Sequence, residues 1–154
     1  MAFRCIKQCP MCAVKQHLLQ RTFAVTPVRN FAMEVGDKAS VTRVFTETDV
    51  RAFADVTWDR NPLHLEKEFT KTTRFRKPIV NGVLSLGLLA GVLGSKLPGP
   101  GSIVLSYAIE HPSPLFTGEE VIAEVELSEL NRRLAIFQLS CIVVESKKVS
   151  DDTF

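Results

Sequence analysis

The stretch IVNGVLSLGLLAGVLG, Ile79 to Gly94, is almost free of polar side chains and contains four glycines. Its length falls short of the roughly 20 residues that a helix needs to cross a bilayer core, and glycine lowers helix propensity. A helix that is apolar on all sides but too short for a membrane belongs inside a soluble core. We predict a buried helix capped by Asn81, in which Gly87 and Gly91 allow close packing against a sheet, and which LPGPGS, Leu97 to Ser102, terminates.

Segments with the character of β-strands lie on both sides of this helix. SVTRVF, Ser40 to Phe45, is rich in β-branched and aromatic residues. Beyond the helix, alternating polarity predicts strands over 103–109 and 121–127, and the apolar run 134–144 is expected in the middle of the sheet. The pattern predicts an α+β fold, with one buried helix wrapped by an antiparallel sheet.

The hexapeptide DRNPLH, Asp59 to His64, holds a carboxylate and an imidazole in one short segment. A helix is predicted to precede it, starting at a capping box formed by Thr46 and Asp49. Since Asn is a good N-cap and Pro suits the first helical position, a second helix is predicted to begin at Pro62. The bend between the helices would bring Asp59 towards His64 as an acid and base pair. The alternative is a helix-start turn with a solvated histidine.

Length and charge limit the classes of protein that fit. A chain of 154 residues suits one domain, and a composition with 23% charged residues and a net charge of +2 lacks the polyelectrolyte tract typical of nucleic-acid binding. Residues 1–33 contain five basic residues and no acidic one, which is typical of a mitochondrial transit peptide. We predict a leader over 1–33, cleaved near Phe31, a single domain over 34–154 and a location in the mitochondrial matrix. The alternative is a flexible basic terminus without a targeting role.

Three of the four cysteines, Cys5, Cys9 and Cys12, lie in this leader with the spacing that holds an iron-sulfur cluster in radical enzymes using S-adenosylmethionine. Such a cluster needs an ordered loop in a large barrel, and a structural zinc site needs four ligands. We therefore predict no metal. Cys141 lies in an apolar run and is expected to be a small core residue.

The whole arrangement resembles the MaoC-like, R-specific enoyl-thioester hydratase family of hot-dog folds. The resemblance covers Phe31 to Lys148 and rests on DRNPLH, on PIVNG at the start of the apolar helix and on LPGPGS at its end. Within that family the sequence looks most like mitochondrial 3-hydroxyacyl-thioester dehydratases of type II fatty acid synthesis, a resemblance that the basic N-terminal segment also fits. The resemblance implies reversible removal of water from (3R)-3-hydroxyacyl thioesters of acyl carrier protein or coenzyme A, without a cofactor, by a homodimer.

The resemblance also implies the site residues. Asp59 and His64 would be the catalytic pair, Asn61 would hold the loop, and the backbone N–H of Gly82 would donate to the thioester oxygen. Dehydration requires removal of a proton from C2, protonation of the departing hydroxyl and stabilisation of negative charge on that oxygen. A helix N-terminus suits the last task because it offers free N–H groups.

The sequence departs from the family pattern at several positions. Trp58 stands where many relatives have Gly, Asn81 where many have His, and Thr70 at a position that is often small. The family continues past CIVVESKK into a last strand, whereas this sequence ends with VSDDTF, so we expect a sheet without its last strand. An inactive acyl-carrier-binding module is therefore one alternative function. A hot-dog acyl-thioesterase is the other.

Overall fold

The apolar segment forms a 14-residue helix that packs on an antiparallel sheet in the computed structural model, which describes residues 20–25, 33–131 and 134–144. Asn81 caps this helix, as predicted, and the helix begins at Gly82. In chain order the elements are β1 (Gln20–Val25), β2 (Lys38–Val44), α1 (Glu47–Thr57), α2 (Pro62–Leu65), α3 (Lys67–Lys71), α4 (Gly82–Ser95), β3 (Ile103–Ala108), β4 (Glu120–Asn131) and β5 (Leu134–Val143).

The five strands form one sheet in the order β2-β4-β5-β1-β3, and all neighbouring strands are antiparallel. The predicted α+β class is confirmed, and β5 occupies the central position expected from its apolar sequence. Strand β4 is longer than the predicted 121–127, because its pairing with β5 continues as far as Asn131 opposite Leu134. Each added residue pair satisfies backbone hydrogen-bonding groups.

The core lies between α4 and the face of the sheet that α4 covers. Leu89, Val92 and Leu93 of the helix are almost fully buried. They pack against alternate residues of β4 and β5, namely Ala123, Val125, Leu127, Ala135, Phe137 and Leu139. This alternation is the two-residue period that predicted the strands. Burial of each large apolar side chain contributes about 1.5–3 kcal/mol, so this layer fixes where the ends of α4 lie.

The opposite face of α4 does not pack on the sheet. Val83 is 57% exposed, and a Cβ atom added to Gly87 or Gly91 would meet no atom within 4 Å. The prediction that these two glycines allow close packing against a sheet is therefore wrong. A single sheet covers only one side of the helix, and here that side carries Leu89 and Leu93. Among the described elements, none is both long and apolar enough for a membrane-spanning helix.

Both predicted helix starts before the site are confirmed. The hydroxyl of Thr46 accepts a hydrogen bond from the Asp49 N–H at 3.2 Å, while the Asp49 carboxylate accepts from the Thr46 N–H at 2.8 Å. The hydrogen bond from the Thr46 N–H, a second one donated by the Thr46 hydroxyl to the same carboxylate, and the nearby Arg43 guanidinium lower the pKa of Asp49 from its ordinary value. At the second helix, Asn61 Oδ1 accepts from the Leu63 N–H at 3.1 Å, and Pro62 occupies the first turn. These caps fix where α1 and α2 begin.

Strand β1 comes from the segment predicted to be a leader. Gln20–Val25 pairs with β5, from Gln20 opposite Leu139 to Val25 opposite Leu134, and it pairs on its other side with β3. The boundary predicted at residue 33 is at odds with this pairing, because part of the predicted leader belongs to the sheet. Without β1, two rows of backbone groups, one on β5 and one on β3, would face each other unpaired.

Among the described residues no strand follows β5, as expected, but the sheet has no gap beside it. The position beside β5 is occupied, and β1 fills it within the same chain. The remainder of the predicted leader, its three cysteines and the VSDDTF end lie outside the described residues.

Candidate functional site

The bend between α1 and α2 brings the predicted pair together. Trp58 ends α1 in the left-handed conformation, with a φ of 63°, and the chain then turns through Asn61 into α2. As a result, Asp59 Oδ2 lies 3.8 Å from His64 Nε2. This separation is too long for a direct hydrogen bond, so a hydroxyl or water oxygen can contact both groups.

A backbone carbonyl fixes the protonation pattern of His64. Its Nδ1 lies 2.7 Å from the carbonyl oxygen of Ile79, which can only accept a hydrogen bond. Nδ1 therefore carries the proton. In the neutral ring the lone pair is then on Nε2, the nitrogen that faces Asp59. The His64 side chain is 13% exposed, so its ring is also held by packing.

Both oxygens of the Asp59 carboxylate accept hydrogen bonds. Oδ1 accepts from the backbone N–H of Asn61 at 3.3 Å, and Oδ2 accepts from the side-chain amide of Asn81. The backbone of Asn61 thus ties the carboxylate to the same turn whose helix its side chain caps. The carboxylate remains 35% exposed.

The N-terminus of α4 forms the other side of the site. Asn81 Oδ1 accepts from the Val83 N–H at 2.8 Å, and Ser85 donates its hydroxyl to the Gly82 carbonyl at 2.7 Å. Within the described part of the chain, the backbone N–H of Gly82 has no hydrogen-bond partner. It is therefore available to bind an oxygen atom.

A histidine that the sequence did not single out lies against this helix end. A Cβ atom on residue 82 would be 2.6 Å from Cε1 and 2.7 Å from Nε2 of His111, so the imidazole occupies the space above Gly82. His111 belongs to the segment HPSP, where prolines remove the periodicity that would indicate its direction. Only the fold brings it to Gly82.

A cavity of about 310 Å³ joins these elements. His64, Gly82 and His111 contribute to its wall, whereas Asp59 is not among the lining residues and lies next to the wall, beside His64. The other lining residues are Arg74, Phe75, Ile79, Val80, Ser85, Pro112, Ser113, Pro114, Leu115, Val121, Cys141 and Val143. The mainly apolar wall suits an acyl chain.

Cys141 packs on the core and also contributes to the cavity wall, consistent with the prediction of a small core residue. Burial raises the pKa of its thiol to about 11. At neutral pH the thiol is therefore protonated and is a poor nucleophile. Within residues 33–131 and 134–144, no cluster of three or more His, Cys, Asp or Glu side chains is placed to hold a metal ion.

Two departures noted in the sequence have structural explanations. Trp58 is 82% exposed and lines neither the cavity nor the surface groove between α1 and α4. Its left-handed φ is the conformation that glycine adopts most easily, which gives a physical reason for the glycine of many relatives. Thr70 is fully buried and donates its hydroxyl to the Lys67 carbonyl at 2.9 Å, so its polar group is satisfied.

Comparisons with known proteins identify the family of the chain. The family model described as a MaoC like domain matches residues 27–149. An (R)-specific enoyl-CoA hydratase of Aeromonas caviae is 44% identical over 109 residues, which cover 71% of this chain and 81% of the relative. A mitochondrial 3-hydroxyacyl-[acyl-carrier-protein] dehydratase of Arabidopsis thaliana is 28% identical, covering 80% of this chain and 75% of the relative.

Solved structures share the fold. The (R)-hydratase of Aeromonas caviae involved in PHA biosynthesis superposes with a TM-score of 0.65 at 38% identity, covering 72% of this chain and 96% of the other. An R-hydratase of Pseudomonas aeruginosa gives a TM-score of 0.64 at 26% identity, covering 87% and 99% of the two chains.

Proposed function

The chain belongs to the family of MaoC-like domains with the hot-dog fold, and we propose that it is a hydro-lyase that adds water to, and removes water from, acyl thioesters. The substrates are 2-enoyl and (3R)-3-hydroxyacyl thioesters. The observation that carries the proposal is the position of His64 Nε2, 3.8 Å from Asp59 Oδ2, in a wall shared with the N-terminus of α4. Relatives named as an enoyl-CoA hydratase and a 3-hydroxyacyl dehydratase support it.

In this mechanism His64 and Asp59 share the proton transfers. In the dehydration direction, the C2–H bond breaks and its proton passes to the pair, while the C3–O bond breaks and the hydroxyl leaves with a proton from the pair. One water and a carbon–carbon double bond form, and the pair has no net gain or loss of protons. The gap between Nε2 and Oδ2 is where the departing oxygen would lie. General acid and base catalysis of this kind contributes about 10²- to 10⁴-fold.

The backbone N–H of Gly82 would stabilise the thioester oxygen. Negative charge develops on that oxygen when the C2 proton leaves, and the N-terminus of a 14-residue helix offers both a donor and a favourable dipole. The carbonyl of Ile79 binds Nδ1 of His64 and so holds the ring with Nε2 facing Asp59. The two halves of the site therefore depend on one short connection, from Ile79 to Gly82.

A hydration assay tests the function directly. The purified chain, mixed with a trans-2-enoyl-CoA, should remove the ultraviolet absorbance of the enoyl thioester and form the 3-hydroxyacyl product, with little release of free thiol. The His64→Gln variant, prepared in parallel, should be slower by about 10²-fold or more. Thiol release without hydration would instead identify an acyl-thioesterase. If the purified chain acts on no enoyl thioester, the result would favour the other alternative, an inactive acyl-carrier-binding module.

The finer assignment is dehydration of 3-hydroxyacyl-acyl-carrier-protein in mitochondrial type II fatty acid synthesis. Its support is the acid-free basic N-terminal segment and the Arabidopsis relative, whose name includes both the carrier and the organelle. Cleavage near Phe31, as the sequence predicts, would remove β1, whereas cleavage before Gln20 would keep it. We therefore place the processing site before Gln20. N-terminal sequencing of the protein from isolated mitochondria tests this, and a mature chain that starts after Val25 would refute it.

We also propose a homodimer. An exposed groove of about 430 Å³ runs between α1 and α4 and includes Phe45, Phe53, Val56, Leu84 and Leu88 in its lining. Val56 is 83% exposed and Val83, next to Leu84, is 57% exposed. An apolar face of this kind is typical of an interface between subunits. Sedimentation should give a dimer, and Val83→Asp should shift it towards a monomer. An active wild-type monomer would contradict the proposal.

A further inference from the structure

The side chain of Asn81 makes two hydrogen bonds that leave one orientation for its amide. Oδ1 accepts from the Val83 N–H at 2.8 Å. A rotated amide would direct its NH₂ group at that N–H donor, so the rotated form is excluded. The NH₂ group must then face Asp59, where it donates to Oδ2. Asn81 is only 9% exposed, so water cannot readily replace it.

The acceptor of this bond is the oxygen that faces the imidazole. Asp59 Oδ2 lies 3.8 Å from His64 Nε2, while Oδ1 is held by the Asn61 N–H. Two donors from different parts of the chain therefore fix the rotation of the carboxylate. Asn61 acts from within the α1–α2 turn, and Asn81 acts from across the site.

Asn81 is also the residue before Gly82 and the N-cap of α4. One side chain thus joins the proton-transfer pair to the helix end that offers the N–H group. A displacement of about 1 Å in a catalytic arrangement can cost about 10²-fold in rate. The spacing between the pair and the N–H group is therefore sensitive to Asn81.

We propose that Asn81 is a positioning residue for the hydration reaction, an inference that rests on the proposed function. Its amide keeps the Asp59 carboxylate at a fixed position relative to the N-terminus of α4. Removal of the NH₂ donor should reduce turnover without removing a group that reacts.

The test uses Asn81→Ser in the full chain, because serine keeps the N-cap but cannot donate to Asp59 at the same reach. We expect the melting temperature to change little, kcat to fall about 10- to 100-fold and KM to change less than kcat. The matched control is Thr46→Ala, which removes the N-cap of α1 without contact with Asp59. It should lower the melting temperature with little effect on kcat.

A double-mutant cycle with Asp59→Asn separates positioning from general damage. In the Asp59→Asn background, Asn81→Ser should cause little further loss, because the carboxylate that it positions is already absent. Equal fractional losses in both backgrounds would overturn the inference. Wild-type kcat in Asn81→Ser, together with a slow His64→Gln variant, would overturn it while leaving the proposed function intact. A wild-type chain without hydration activity would overturn the proposed function itself.

Discussion

The ring of His111 occupies the position that a side chain on Gly82 would need. All three of Cε1, Nε2 and Nδ1 lie within 3.0 Å of the Cβ atom that residue 82 lacks. The first position of α4 therefore has room for glycine only while His111 keeps this place, and both residues line the cavity.

Gly82→Ala should therefore displace the His111 ring and reduce activity. Because His111 is exposed and its ring can move, we expect a loss of about 1 kcal/mol or less in the free energy of unfolding, but a clear rise in KM for enoyl-CoA. His111→Ala combined with Gly82→Ala should recover the stability.

The matched control is Gly91→Ala in the same helix, where an added Cβ atom would meet no atom within 4 Å. It should raise stability by about 0.5–1 kcal/mol, measured by urea unfolding. A stability loss in the control would contradict this explanation.

Replacement of His64 by Gln or Asp59 by Asn should each lower kcat/KM by about 10²- to 10⁴-fold while the fold is retained, because both are polar groups at the edge of a cavity. The double variant should be little worse than either single variant, since both changes disable the same proton transfers. Steady-state hydration kinetics and circular dichroism check this. Near-wild-type turnover in both single variants would contradict the catalytic role and would favour the alternative, in which DRNPLH is only a turn at the start of a helix.

The thiol of Cys141 should make stability depend on pH in alkaline solution. Its pKa is about 11 in the folded chain against an ordinary value of 9.0. Below about pH 9 the thiol is protonated in both states and contributes no pH dependence. Between about pH 9 and 11, unfolding releases a proton, so the free energy of unfolding falls as pH rises. Urea unfolding at pH 8 and pH 10.5 should show a smaller fall for Cys141→Ala than for wild type. An equal decrease in the free energy of unfolding for wild type and Cys141→Ala would show that Cys141 is not the source of this pH dependence.

Trp58→Gly should stabilise the chain. Trp58 holds a left-handed φ of 63° and its side chain is 82% exposed, so the variant loses little packing and relieves an unfavourable conformation. Part of this gain is offset by the greater entropy of the unfolded chain. We expect a net gain of up to about 1 kcal/mol, or about 2–4 °C in melting temperature by calorimetry. A lower melting temperature would indicate that the exposed indole makes a contact in the assembled protein.

Strand β1 should be required for a stable sheet. A chain that begins at Met33 lacks it and exposes the backbone groups of β5 and β3, whereas a chain that begins at Leu19 keeps it. The shorter chain should melt ~10 °C or more below the longer one, if the lost pairing is worth about 3 kcal/mol, and should aggregate more readily. Phe23→Pro in the longer chain controls for chain length. It interrupts the backbone hydrogen bonds of β1 without removing residues, so it should also lower the melting temperature. Equal melting temperatures for the two chains would refute a structural role for β1.

The features that the sequence predicted correctly are local ones. The bend at DRNPLH depends on an N-cap, a proline and a capping box within 20 residues, and each acts on its own neighbours. The strands beyond α4 were visible because one face is buried and the other is not.

The features that were missed depend on distant parts of the chain. An all-apolar α4 carries no signal for which face the sheet covers, so the exposure of Gly87 and Gly91 could not be foreseen. The six residues of β1 are too short for a periodic signal, and their pairing is with positions near Leu139. The contact of His111 with Gly82 likewise follows only from the path of the chain between α4 and β4.

Because Gln20 pairs with Leu139, β1 cannot join the sheet until most of the chain has been synthesised. During translation the N-terminal segment leaves the ribosome first, yet its partner strand is made more than a hundred residues later. Until β5 has emerged, β1 has no place in the sheet and remains available to chaperones and to any import receptor. Closing so long a loop costs conformational entropy before any contact is gained, so we expect β1 to join last, after the β4–β5 hairpin. Strand β1, the first strand to be synthesised, is thus expected to be the last to join the sheet.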